Sequence, residues 1–207
     1  MKRYIPLVAV LTTFAWAGTL DAQASAQELA IGLHAGLSTP TGVYGDDFGS
    51  EAAGARPGFS LGVDAFYPLP LTDRLDWFSS VSLIRNGTEG SQDRTGSFVN
   101  GSFTLVPVMT GVRLDLGAVP NLFVSGQGGV LFVRGPEDFY PYGFPGSPSI
   151  GVQLGYNVGL GFQASDVLSV SARYFPLGTI DFDYDESDSP LQQEVNVLDI
   201  QIGVRIK

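Results

Sequence analysis

One histidine and a scatter of carboxylates are the chain's main resources for acid–base or metal chemistry. A serine or threonine nucleophile needs a base within hydrogen-bond reach. His34 is the only imidazole and has no serine in a His-x-Ser arrangement. It reads as an inward, hydrogen-bonded structural residue, and no catalytic residue is assigned. Cysteine is absent, which removes thiolate metal sites, disulfides and a lipid-anchored N-terminal cysteine. Asp181, Asp183, Asp185, Glu186 and Asp188 form the one dense carboxylate cluster. Hard divalent cations need several such oxygens, but the cluster lacks the Gly and bidentate-Glu spacing of an EF-hand loop. It reads as a solvated acidic loop. No zinc or nucleotide motif is present, so no cofactor is expected.

The remaining charges acquire meaning only from the elements that carry them. Residues 150–162 alternate almost without a break. Ile150, Val152, Leu154, Tyr156, Val158, Leu160 and Phe162 share one parity; glycines, Gln153 and Asn157 fill the other. In a strand these two sets point to opposite faces. An apolar face backed by small, uncharged residues suits a sheet curved tightly around a narrow polar interior, with lipid outside. Seven further segments alternate in the same way: 29–37, 58–67, 75–85, 102–116, 122–133, 167–175 and 195–207. Pro107 falls inside one of them, a position that normally argues against a central strand.

The connections between these segments alternate long and short. Residues 38–56, 86–100, 134–148 and 176–194 are long and polar; 68–74, 117–121 and 163–166 are short. Asn86 and Asn100, which open Asn-Gly-Thr and Asn-Gly-Ser triplets, read as turn residues. Systematic asymmetry of this kind belongs to membrane barrels with long loops outside and tight turns in the periplasm. The predicted fold is all-β, an eight-stranded antiparallel up-and-down transmembrane β-barrel spanning residues 27–207. Tyr67 and Trp77 flank a short turn, where an interfacial aromatic girdle is expected.

Composition agrees. Charged residues are 15% and mean hydropathy is +0.16. Past the N-terminus, however, no apolar run approaches the roughly 20 residues a membrane helix needs. Residues 1–26 have the form of a secretory signal: Lys2 and Arg3, an apolar run, then Ala24-Ser25-Ala26. Cleavage there removes Lys2, Arg3 and Asp21 from 11 basic and 21 acidic residues, leaving 9 and 20, a net of −11. So acidic a chain has no electrostatic footprint for nucleic acid.

The strand assignment turns Glu28, His34, Asp64, Asp76, Arg113, Arg173, Asp199 and Arg205 inward. Charges inside a narrow barrel are costly unless paired. Strand adjacency predicts Arg173 with Asp199, Asp76 with Arg113, Glu28 with Arg205, and Asp64 with His34. Such pairs plug the lumen of an eight-stranded barrel, which has room for little beyond side chains. The other use for them is a gate in a small channel for ions or solutes. In the third long loop, Phe139, Tyr140, Tyr142 and Phe144 form a possible contact patch for an extracellular ligand.

The chain resembles the small outer-membrane barrels of the OmpA-transmembrane and OmpX type. The likeness rests on Leu105-Val106-Pro107-Val108, on Asn157-Val158-Gly159-Leu160-Gly161-Phe162 followed by a turn and Ser171-Ala172-Arg173-Tyr174, and on the alternating last strand. It covers the chain beyond the signal. A departure is the ending Arg205-Ile206-Lys207, where such barrels usually carry an aromatic residue. The resemblance stops at the barrel, so the peptidoglycan-binding part of the OmpA role is not implied. What it does imply is location in the bacterial outer membrane, contact with lipid and lipopolysaccharide, and insertion by the outer-membrane assembly machinery. The function expected is structural or surface-interacting and non-enzymatic. The alternatives are a small porin-like channel and, further off, a lipid-modifying barrel enzyme that would depend on His34. A soluble ligand-binding barrel is disfavoured by the unbroken apolar faces.

Overall fold

The computed structural model describes residues 29–46, 54–88, 91–92, 98–140, 149–182 and 191–206. Eight long strands make the wall: β1 (Ala30–Thr41), β2 (Gly58–Pro68), β3 (Leu75–Gly87), β6 (Ser102–Asp115), β7 (Leu122–Arg134), β9 (Ile150–Gln163), β10 (Leu168–Phe182) and β11 (Leu191–Ile206). They close in the order β1-β11-β10-β9-β7-β6-β3-β2, every pair antiparallel. Three short strands, β4 (Ser91–Gln92), β5 (Phe98–Asn100) and β8 (Asp138–Tyr140), form a separate sheet at the long-loop end. Closure removes the exposed edges that an open sheet would leave.

The period-two pattern sets which face each residue takes. Outward positions such as Leu33, Leu61, Val81, Leu154, Leu160 and Ile202 are exposed and apolar, forming a continuous lipid-facing belt. Tyr67 and Trp77 are direct partners on β2 and β3 at the short-turn end, both partly exposed on the outside. Following ladder partners from Ile150 through Arg134, Thr104, Arg85, Phe59, Leu37, Ile200 and Ala172 returns to β9 at Leu160. One circuit therefore advances ten residues along the strand, the stagger that tilts strands in a closed barrel.

Pro107 lies in β6 despite its missing N–H. The β3–β6 ladder runs from Val81–Val108 to Ile84–Leu105 with no pair between, and it resumes in the same register. The proline thus interrupts the ladder on one side without displacing it. Asn121, the described non-glycine residue with positive φ (66°), ends the second short turn, where its carbonyl accepts the Gln163 N–H at 2.7 Å.

Three expectations need correction. Residues 176–194 are not all loop: β10 and β11 stay paired up to Phe182–Leu191, because the hairpin continues beyond the apolar belt on a polar sequence. Asn86 is not a turn residue. It lies in β3, buried, bonded to the Ser38 hydroxyl and the Arg56 carbonyl. Nor is the interior polar throughout. At the long-loop end it is a hydrophobic chamber containing Ile84, Leu105, Met109, Leu131, Phe175 and Val197. Tyr44, from the short 3₁₀ turn after β1 (Gly42–Tyr44), packs into this chamber edge-on against Phe103, ring centroids 5.3 Å apart.

Candidate functional site

Below the chamber the lumen becomes polar, and the predicted charges meet there. His34 and Asp64 are brought together: Nδ1 lies 3.1 Å from Asp64 Oδ2. The same carboxylate oxygen accepts from Arg173 Nη2 at 2.9 Å. Arg173 and Asp199 are direct ladder partners, yet the guanidinium hydrogen-bonds Asp64 and not Asp199. Asp199, fully buried, instead accepts from the Ser60 hydroxyl at 2.6 Å and from the Gln201 amide. The ladder alone could not locate these bonds, because a long arginine in a narrow barrel can reach the opposite wall.

His34 Nε2 lies 3.0 Å from Ser82 Oγ. In the neutral imidazole, Nδ1–H donates to the carboxylate and Nε2 accepts from the serine. Asp64, His34 and Ser82 therefore share the connectivity of an acid–base–nucleophile triad. Two features set them apart from a working one. All three side chains are buried, Ser82 only 2% exposed, and the acid is also held by Arg173. The sequence concealed this contact: Ser82 is 48 residues from His34 and becomes its neighbour only across β1, β2 and β3. A second bridge crosses the lumen beside it, where Ser80 and Asn157 both donate to Gln127 Oε1, at 3.2 and 3.1 Å.

At the short-turn end the lumen is filled by cations stacked on rings. Phe66 and Phe78 are parallel, their centroids 5.0 Å apart. The Arg173 guanidinium lies 4.9 Å from the Phe78 ring, Arg205 lies 4.2 Å from Phe66, and Arg113 lies 3.9 Å from Phe123. These aromatics were not singled out from sequence, although their inward parity follows from that of Asp64, Asp76 and Arg113. The expected pairing of Asp76 with Arg113 is replaced. They are ladder partners, but Arg113 pairs with Asp115 at 3.1 Å and Arg205 approaches Asp76 at 3.8 Å. Glu28, assigned to Arg205 from sequence, lies outside the described residues. A cleft of about 270 Å³ opens at this mouth, lined by Arg74, Arg113, Asp115, Gln163 and Arg205 among others.

Two inward glycines of β9 make room for side chains of the neighbouring strand β7. A Cβ on Gly161 would collide with the Phe123 ring, and one on Gly159 would meet Ser125 Oγ before the Arg173 stem. The carboxylates Asp183, Asp185, Glu186 and Asp188 and the aromatics Tyr142 and Phe144 lie outside the described residues. Asp181, Phe139 and Tyr140 are described only as strand backbone, in β10 and β8.

No protein-family model matches the chain, and no curated protein does. Among solved structures it is similar to Ail, the attachment invasion locus protein of Yersinia pestis, in complex with the heparin analogue sucrose octasulfate. Identity is 15%, the TM-score is 0.52, and the match covers 86% of this chain and 99% of that one. Neisserial surface protein A matches at 14% identity and TM-score 0.48, covering 86% and 96%. The outer membrane protein OprG from Pseudomonas aeruginosa matches at 10% and 0.49, covering 87% and 97%. At these identities the likeness is one of fold. A closed barrel of this fold with an apolar outer belt is a protein of the bacterial outer membrane.

Proposed function

We propose, for a chain whose fold is that of the small eight-stranded outer-membrane barrels of the OmpA-transmembrane and OmpX type, a non-enzymatic structural and surface-interacting role. The observation that carries this reading is the filled lumen. Three unlike layers succeed one another along the axis: arginines on aromatic rings, the Asp64–Arg173–His34 network, and the apolar chamber under Tyr44. An ion crossing it would have to shed its water against hydrocarbon, at a cost no pairing there offsets. On this reading the parts free to work are the outer wall and the long loops, whose base carries the small sheet of β4, β5 and β8.

The loops are acidic, carrying Asp46, Asp47, Glu51, Glu89, Asp93, Glu137 and Asp138 besides the carboxylate cluster. That charge suits a cationic or cation-bridged extracellular ligand, lipopolysaccharide among them. It does not suit a polyanion such as the heparin analogue held by Ail. Export by the N-terminal signal and delivery to the outer-membrane assembly machinery complete the reading.

Planar-bilayer recording tests it. The refolded protein is expected to leave the bilayer at background conductance, with or without Arg173→Ala. Reproducible single-channel steps that change with Arg173→Ala would overturn the plugged barrel in favour of a small channel.

A further inference from the structure

The three short turns are stitched into one rim. The Asp115 N–H donates to the Arg74 carbonyl at 2.8 Å, and the Gln163 N–H to the Asn121 carbonyl at 2.7 Å. The Arg205 N–H donates to the Val167 carbonyl at 2.7 Å. Each bond ties a turn to the next turn or to β11, so the mouth at this end has a fixed outline. Within it lies the cleft of about 270 Å³, lined by Arg74 of the first turn, Gly117 and Asn121 of the second, and Gln163 and Asp166 of the third.

The charges on this lining are not matched. Three guanidinia, those of Arg74, Arg113 and Arg205, stand against two carboxylates, Asp115 and Asp166. That is a local reversal in a chain of net charge −10. Arg113 is already engaged: Nε and Nη2 both donate to Asp115, and Nη2 also donates to Gln163 Oε1. Arg205 has a donor to spare. Its Nη2 is buried without a hydrogen-bond partner, and Asp76, at 3.8 Å, is too far to be one. A buried donor left unmade is costly, so it marks a place for an acceptor. Arg74 is exposed and has no ion pair among the described residues. It lies against Gly117, where a Cβ would overlap its guanidinium.

We propose that this cleft is a binding site for a compact phosphate group, held between Arg205 and Arg74. The two guanidinia bring two positive charges, and a phosphate monoester carries about −1.5 to −2 at pH 7. Their planar forks meet phosphate oxygens with paired, charge-assisted hydrogen bonds. The cleft is smaller than the roughly 300–1,000 Å³ of drug-sized pockets, so it admits a phosphate with a small substituent and little more. Leu116, Pro120 and Leu122 give that substituent an apolar side. Because the rim is fixed by backbone bonds, little ordering opposes binding. The phosphate belongs to a soluble ester or to a lipid head group, since Tyr67 and Trp77 mark this end of the apolar belt. The site lies at the opposite mouth from the long loops and does not rest on their role.

The refolded protein in uncharged micelles is titrated with inorganic phosphate at constant ionic strength, and binding is followed by phosphorus NMR line width. Saturable broadening supports the site if it weakens about tenfold or more in Arg205→Gln and in Arg74→Gln. Arg134→Gln, at the far mouth, is expected to leave it unchanged. Broadening that never saturates, or that is equal in all four proteins, overturns the site. Heat-dependent gel mobility verifies folding of each form. Should Arg205→Gln not fold, Arg74→Gln decides alone: weakened binding supports the site, and unchanged binding overturns it. Repeating the titration in phosphatidylcholine bicelles with and without phosphatidic acid separates the sources. Competition by phosphatidic acid that Arg74→Gln abolishes assigns a lipid head group, whereas phosphate binding indifferent to it assigns a soluble ester.

Discussion

Arg173 stands directly opposite Asp199 in the β10–β11 ladder, yet its guanidinium crosses the lumen to Asp64, 2.9 Å away. Two buried carboxylates are thus stabilised in different ways. Asp64 answers a full positive charge and an imidazole, whereas Asp199 is held by a hydroxyl and an amide. Removing one partner of a buried ion pair costs about 3–5 kcal/mol, while losing a typical hydrogen bond costs about 1 kcal/mol. Asp64→Asn is therefore expected to lower stability in urea titrations of the micelle-bound barrel far more than Asp199→Asn. Equal losses would refute the assignment of Arg173 to Asp64.

Phe123 occupies the space that a side chain on Gly161 would need, and it carries the Arg113 guanidinium on its face. Gly161→Ala is expected to destabilise the native barrel and to do so less in a Phe123→Leu background. Contacting residues couple by about 0.5–3 kcal/mol in a double-mutant cycle. Strict additivity would show that the clash does not govern this site.

Ser79 and Thr110 are ladder partners on the lipid-facing side, their hydroxyls 2.8 Å apart, and the Trp77 indole donates to Ser79 at 3.1 Å. Leaving one buried polar group without its partner costs about 1–3 kcal/mol, whereas replacing both by apolar groups can be nearly neutral. Ser79→Ala alone is expected to unfold at lower urea than the double variant Ser79→Ala/Thr110→Val. The reverse order would show that the pair is hydrated rather than mutually satisfied.

Ser82 has the neighbours of a nucleophile but not the access. A fluorophosphonate probe is expected to leave the folded barrel unlabelled, and His34→Ala to change stability without removing any hydrolytic activity. Stoichiometric labelling at Ser82 that depends on His34 would make the network a working site.

Most of the wall was legible in the sequence because a strand's faces follow from parity alone. Lengths, order and outward residues follow from runs such as Ile150–Gln163. The contents of the lumen were legible as residue types but not as contacts. Ladder neighbours can be counted along the chain, yet Arg173 to Asp64 and His34 to Ser82 depend on how far side chains reach across a closed ring. The apolar chamber was hidden for another reason. Its residues take the inward parity at the long-loop ends of the strands, where the sequence reading looked for polar side chains. Val195 and Val197 there are buried on the inward parity, in an interior expected to be polar.

The first and last wall strands, β1 and β11, are joined by eleven residue pairs from Ile31–Ile206 to Thr41–Asn196. That single ladder makes the wall all-or-none. Until residues 191–206 are in place, every partial sheet carries two bare edges, and hydrocarbon offers their N–H and C=O groups no partner. Insertion one hairpin at a time is therefore uphill at every step but the last. The nascent wall has to be shielded from lipid, or held at both margins, until the ring can shut in one event.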